Sequence, residues 1–113
     1  MIPRGVEIFV ALDPIDLRFG FDRLCGLVIE RFGRSARAGA LFVFFGRRRT
    51  AVKVLFCDRT GVCVFYKRLD ANAFRIPEPA VEGDVTRIID ERALDDLIDG
   101  IDIASVRRTR PVH

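Results

Sequence analysis

The chain has 113 residues, half of them hydrophobic, with ten Phe, no Trp and a formal net charge of +3. That length gives one domain able to bury on the order of 60–70% of its unfolded surface, and no apolar stretch approaches the roughly 20 residues of a membrane span. The start, Met-Ile-Pro-Arg-Gly, lacks the apolar region of a signal peptide, so a cytoplasmic protein with no membrane contact is expected.

Residues 6–12 are apolar except for Glu7 and read as a first strand. Asp13-Pro14 turns the chain, and Asp16 is placed to cap a helix. From residue 17 to 32, Leu17, Phe21, Leu24, Cys25, Val28 and Phe32 form one helical stripe, broadened by Leu27 and Ile29. Gly33 ends that helix. Gly20 inside it lowers local helix stability by about 1 kcal/mol relative to Ala, which suggests close backbone packing there.

Three strands come next, at residues 41–45, 52–57 and 62–68, rich in β-branched and aromatic residues and joined by turn-like connections at 46–50 and 58–61. Several positions are apolar on both faces, so one face meets the helix and the other meets something else. Residues 74–76, stopped by Pro77 and Pro79, are expected to add a short edge strand. Asp90 caps a last helix with Leu94, Leu97, Ile98 and Ile101 on one face, Asp95, Asp96 and Asp99 on its other sides, and Gly100 near its end. The order β-α-β-β-β-(β)-α is a single α+β domain over residues 1–103, an antiparallel β-meander packed with an N-terminal and a C-terminal helix. An extended, flexible basic tail at 104–113 completes it.

Charge is segregated along this order. Residues 1–30 carry net −2, residues 31–75 net +9, residues 76–102 net −7, and the last eleven residues net +3. Such a division suggests two partner surfaces, or one masking the other. Seventeen of the 19 basic residues are Arg, whose planar fork pairs phosphate bidentately, although genomic base composition also produces an Arg bias.

The sharpest local feature is Arg47-Arg48-Arg49, three guanidiniums on a hairpin between two strands, which can present cations to a phosphate backbone or enter a major groove. It can equally be a solvated turn. Lys53, Lys67 and Arg68 lie on the two later strands, with Lys53 facing either Lys67 or Tyr66 depending on register. A Lys–Lys pair would repel itself unless a phosphate neutralised it. Arg107, Arg108 and Arg110 form a second cluster, either a basic arm that adds DNA affinity or an inert terminus. The carboxylates of the last helix are spread around it rather than converging on metal ions, and those near residue 16 sit where a helix start favours them. Phosphate loops of the P-loop or dinucleotide kind and nucleophile elbows are absent from the sequence. The three cysteines include no Cys-x-x-Cys spacing and the only His is the terminal His113, so a closed zinc site of four Cys or His ligands is not expected. Cys57 and Cys63 either face each other across a hairpin or are small apolar strand residues. No catalytic residue, metal, cofactor or small-molecule substrate is expected.

These residues resemble a known family. Asp16-Leu-Arg18-Phe-Gly20-Phe-Asp22-Arg-Leu24 is similar to "D-M-R-x-G-F-D-x-L". The run from Leu41 through Arg47, Arg48, Arg49 and Lys53 to Leu55 is similar to "L-F-V-F-x-x-R-R-R-x-x-x-K-x-L". Asp58 and Gly61, the run from Tyr66 to Leu69, the run from Phe74 to Pro77, and Gly100 to Asp102 continue the match in the same order. The pattern resembles the TnpB-type, second-reading-frame accessory protein of the insertion-sequence sixty-six family, which is unrelated to the RNA-guided nuclease sharing the TnpB name. The resemblance implies a role in transposition beside a separate transposase that carries the catalytic carboxylates. Its expected partners are element-end DNA and that transposase. Three readings are open: a DNA binder that uses the basic meander, a protein–protein adaptor without DNA contact, or a regulatory module exapted from the element. Where the family has Trp this chain has Cys57, Ile76 and Ile103, which keeps apolar character and removes rings that could stack on bases at those positions.

Overall fold

Apolar runs buried on both faces build a single mixed sheet. The computed structural model describes residues 2–100. In it the strands are β1 (Ile8–Ala11), β2 (Leu41–Phe45), β3 (Ala51–Cys57), β4 (Val62–Arg68) and β5 (Thr86–Ile89), with helices α1 (Phe21–Phe32) and α2 (Glu91–Ile98). The order across the sheet is β4-β3-β2-β1-β5. The hairpins β2–β3 and β3–β4 form the expected antiparallel meander. β1 joins its far side parallel to β2, with α1 as the crossover that a parallel pair requires, and β5 pairs antiparallel to β1.

Every residue of β1 and β2 is buried, because both faces of the sheet are covered. On one face Leu24, Leu27 and Val28 of α1 pack over Phe9, Ala11, Phe42, Phe44 and Leu55. Phe32 closes this layer, with its ring centroid 5.8 Å from Phe9 and 5.3 Å from Phe42. On the other face Leu94 and Leu97 of α2, with Phe74, cover Ile8, Val10, Val43, Phe45, Val52 and Val54. Each of these fully buried side chains contributes about 1.5–3 kcal/mol of transfer free energy. The result is a three-layer α+β domain.

Three expectations need correction. First, α1 begins at Phe21, with Gly20 as a cap that offers no side-chain bond. Asp16 is spent on a local turn, taking the backbone N–H of Arg18 at 2.9 Å and accepting from its guanidinium, while Phe19 N–H donates to the Asp16 carbonyl. Leu17 and Phe19 therefore pack as loop residues beside the α1 layer. α1 does end at Gly33, whose φ is 63°. Second, close packing falls at Gly46 instead of Gly20. A Cβ at Gly46 would stand 2.9 Å from Leu17 Cδ1, whereas one at Gly20 would meet nothing within 4 Å.

Third, residues 74–76 form no strand. Phe74 turns inward, 1% exposed, with its ring 5.6 Å from Phe45, so burial of one large ring outweighs edge pairing. The fifth strand is Thr86–Ile89, a β-branched run immediately before the Asp90 cap. As expected, Asp90 accepts from the Ala93 N–H at 2.8 Å. Ile101, the helix position expected beyond Ile98, and the tail lie outside the described residues.

Candidate nucleic-acid interface

The β2–β3 connection sets the site. Phe45 pairs with Val52, and the Arg49 N–H closes a turn onto the Gly46 carbonyl at 3.0 Å. Arg49 occupies the left-handed region at φ 58°, the geometry that lets a short turn rejoin its strand. The turn is braced from behind: Leu69 N–H donates to the Thr50 carbonyl at 2.9 Å and Phe74 N–H to the Arg49 carbonyl at 2.6 Å. Buried Phe74 thus holds the arginine turn against the rest of the fold. Arg47, Arg48 and Arg49 are all exposed, and among the described residues none of them makes an ion pair.

These three arginines rim an open cleft of about 1120 Å³. Its other walls are the 14–19 loop, which hangs from β2 through Ile15 N–H to the Phe45 carbonyl at 2.8 Å, and the polar side of α1. Arg18, Arg23 and Arg31 face it from those walls, against only Asp16 and Glu30. Asp16 is clasped by Arg18 at 2.7 Å, and this bond, with the Arg18 backbone N–H and a smaller pull from Arg47, lowers its carboxyl to about 2. The Arg31 guanidinium donates to the Asp13 carbonyl at 2.9 Å.

The β3–β4 register decides the fate of the two lysines. Lys53 is opposite Tyr66, and Val52 is opposite Lys67. Side chains alternate across a sheet, so Lys53 shares the α1 face with Tyr66 and Arg68 while Lys67 points to the α2 face. Of the two facings left open by the sequence, the structure has Lys53 opposite Tyr66, and the two lysines do not share one surface. Both ammoniums are also engaged. Lys53 donates to the Phe19 carbonyl and Lys67 to the Ile98 carbonyl, each at 2.9 Å. Lys67 thus stands at the C-terminus of α2, where a cation is favoured by about 0.3–1 kcal/mol.

Arg68, opposite Ala51 and exposed, extends the cleft-side cations along β4. Arg107, Arg108 and Arg110 lie outside the described residues. Sequence reasoning missed Arg18, Arg23 and Arg31. Each is an ordinary polar position in its own element, and only the crossover carries it to the hairpin.

Other chemistry is sparse. Cys57 is opposite Val62 and Cys63 opposite Phe56, so the two thiols lie on opposite faces, and all three cysteines are free. Asp58 is held below the usual carboxylate range by the Thr60 and Gly61 N–H groups in its turn. Burial, with nearby Asp58, pushes the Cys63 thiol up. Among the described residues no His, Cys, Asp and Glu group is placed to hold a metal, and no helix is long and apolar enough to cross a membrane.

Over residues 6–108 the chain matches the family described as IS66 Orf2-like protein. It is 38% identical to the uncharacterized protein y4hO of Sinorhizobium fredii, covering 90% of this chain and 88% of that one. It is 31% identical to the uncharacterized protein y4jC of the same organism, covering 96% and 90%. No solved structure matches the chain significantly.

Proposed function

The chain belongs to the family of IS66 Orf2-like proteins, and from that premise we infer that it is a non-catalytic accessory protein that holds element DNA while a separate transposase does the chemistry. Membership of the family puts the chain among the accessory proteins of insertion-sequence transposition. The observation that carries the DNA reading is the turn Arg47-Arg48-Arg49: three exposed guanidiniums on a rigid, braced hairpin, free of ion pairs among the described residues and joined by Arg18, Arg23 and Arg31 around one cleft. Phosphates neutralise such a group by counterion release, and contacts of this kind position a duplex without reading its bases. Arg68 extends the same face. In this reading Arg107, Arg108 and Arg110 add a basic arm, Lys53 braces the cleft floor, and Lys67 secures α2.

The test is the salt dependence of binding to labelled element-end DNA, wild type against the Arg47→Ala, Arg48→Ala, Arg49→Ala triple variant. Loss of about three phosphate contacts should flatten the slope of log affinity against log salt by about 2–3, with folding unchanged to within about 0.5 kcal/mol. An unchanged slope removes the hairpin from the site.

A second reading, a transposase adaptor without DNA contact, is favoured by one observation. Val81, Val85 and Ile88 are 65%, 48% and 61% exposed in and beside the edge strand β5, and an exposed apolar edge invites a protein partner. Absence of DNA binding at low salt, with co-purification of the neighbouring transposase, selects it.

A further inference from the structure

One component of the cleft brings an aromatic ring in place of a charge. Tyr66, the chain's single tyrosine, lines the cleft and is 58% exposed. The Lys53 ammonium lies 5.0 Å from its ring centroid. The hydrogen bond from that ammonium to the Phe19 carbonyl fixes the cation, and with it one face of the ring. Phe19, also in the cleft wall, carries the Arg23 guanidinium 5.1 Å from its own ring centroid. Two aromatic rings, each with a cation close to its centroid, therefore line the same cleft as the arginine turn.

That combination matches one form of nucleic acid better than another. In a duplex the base faces are covered by their neighbours, and a protein meets base edges and phosphates. A single strand presents phosphates and uncovered base faces together, and its usual receptor is a basic groove with aromatic platforms. A cation held behind a ring strengthens the mounting of that platform. We propose that the cleft binds single-stranded DNA, with an unpaired base stacked on Tyr66 and the flanking phosphates paired with Arg47, Arg48 and Arg49. The inference rests on the reading of the cleft as a DNA site and adds to it the strand state of the ligand. The ring carries the stacking, so the phenolic oxygen is dispensable.

The chain has one Tyr and no Trp, so its intrinsic emission reports on Tyr66 alone. The experiment titrates the full chain with an oligothymidylate, with a DNA duplex of equal length, and with an oligouridylate, following anisotropy and absorbance-corrected tyrosine emission. The single DNA strand should quench the emission and bind about 5-fold or more tightly than the duplex at the same salt. Tyr66→Ala should lower single-strand affinity by about 5- to 100-fold and leave duplex affinity unchanged, while Tyr66→Phe keeps wild-type affinity for both. Circular dichroism of the alanine variant checks its fold, and the phenylalanine variant holds the test open if alanine does not fold.

Equal affinity for the two DNA forms, or a loss on Tyr66→Ala that is the same for both, overturns the inference. The duplex reading survives that result if the triple arginine variant still weakens binding. Tighter binding of the oligouridylate than of the oligothymidylate overturns the assignment to DNA. Absence of binding to every strand at low salt overturns the underlying DNA reading as well.

Discussion

The Lys53 ammonium donates to the carbonyl oxygen of Phe19 at 2.9 Å, a bond between residues 34 apart in sequence. It ties β3 to the loop that walls the cleft, and the same ammonium faces the Tyr66 ring. Lys53 therefore acts on the site by positioning its wall. Replacing it with Met keeps the apolar stem and removes the charge and the donor. Stability to urea should fall by about 1.5–3 kcal/mol, the range for a hydrogen bond to a charged group, and tyrosine emission should change in the folded state. An unchanged urea midpoint would show that the bond contributes nothing in solution.

Arg49 is the second test point, because its backbone and its side chain have opposite interests. Its φ of 58° costs a residue other than glycine about 1–2 kcal/mol. Arg49→Gly should accordingly raise stability by about 1 kcal/mol in a denaturant melt. It should also flatten the salt slope of DNA binding by about 1 as one phosphate contact is lost. A gain in stability with a loss of binding is the trade expected where a strained residue is kept for function. Lower stability in the glycine variant would mean that the Arg49 side chain itself anchors the turn.

Asp16 supplies a pH signature. Its hydrogen bonds from Arg18, aided by Arg47, hold the carboxyl at about 2, below the ordinary 3.8. A depressed value in the folded state means that the ionised group favours the folded loop above the ordinary value, and that this contribution is lost as pH falls through about 2. Carbon-detected NMR titration of Asp16 should therefore find its midpoint near 2. Asp16→Asn should release Arg18 toward the cleft and steepen the salt slope of DNA binding by up to about 1. A midpoint near 3.8 would show that the Asp16–Arg18 clasp is open in solution.

Much of the fold was legible because its determinants are local. The 41–68 meander announces itself through dense β-branched and aromatic runs between two polar turns, and the last helix through an Asp cap ahead of leucines at helical spacing. The errors came where a local signal lost to a distant one. Leu17 continues the helical period, yet the Asp16–Arg18 turn and the docking of the loop on β2 and β3 keep it out of α1. Phe74 has strand character, yet the space beside Phe45 takes its ring. Thr86–Ile89 is too short to stand out within an acidic segment and becomes a strand because the edge of β1 is there to receive it.

The same division runs through the site. Sequence by itself determined the family, the α+β class and the arginine turn, since all three depend on residue order and on contacts within a few positions. Tertiary structure alone decided which cations share a surface. A one-residue step in register reverses the face of every side chain on a strand. Pairing Lys53 with Tyr66 therefore sends Lys67 to the far side of the sheet, and the parallel crossover brings Arg18, Arg23 and Arg31 round to Arg47. Neither event is written in any local pattern, because both depend on which buried surface each element finds to cover.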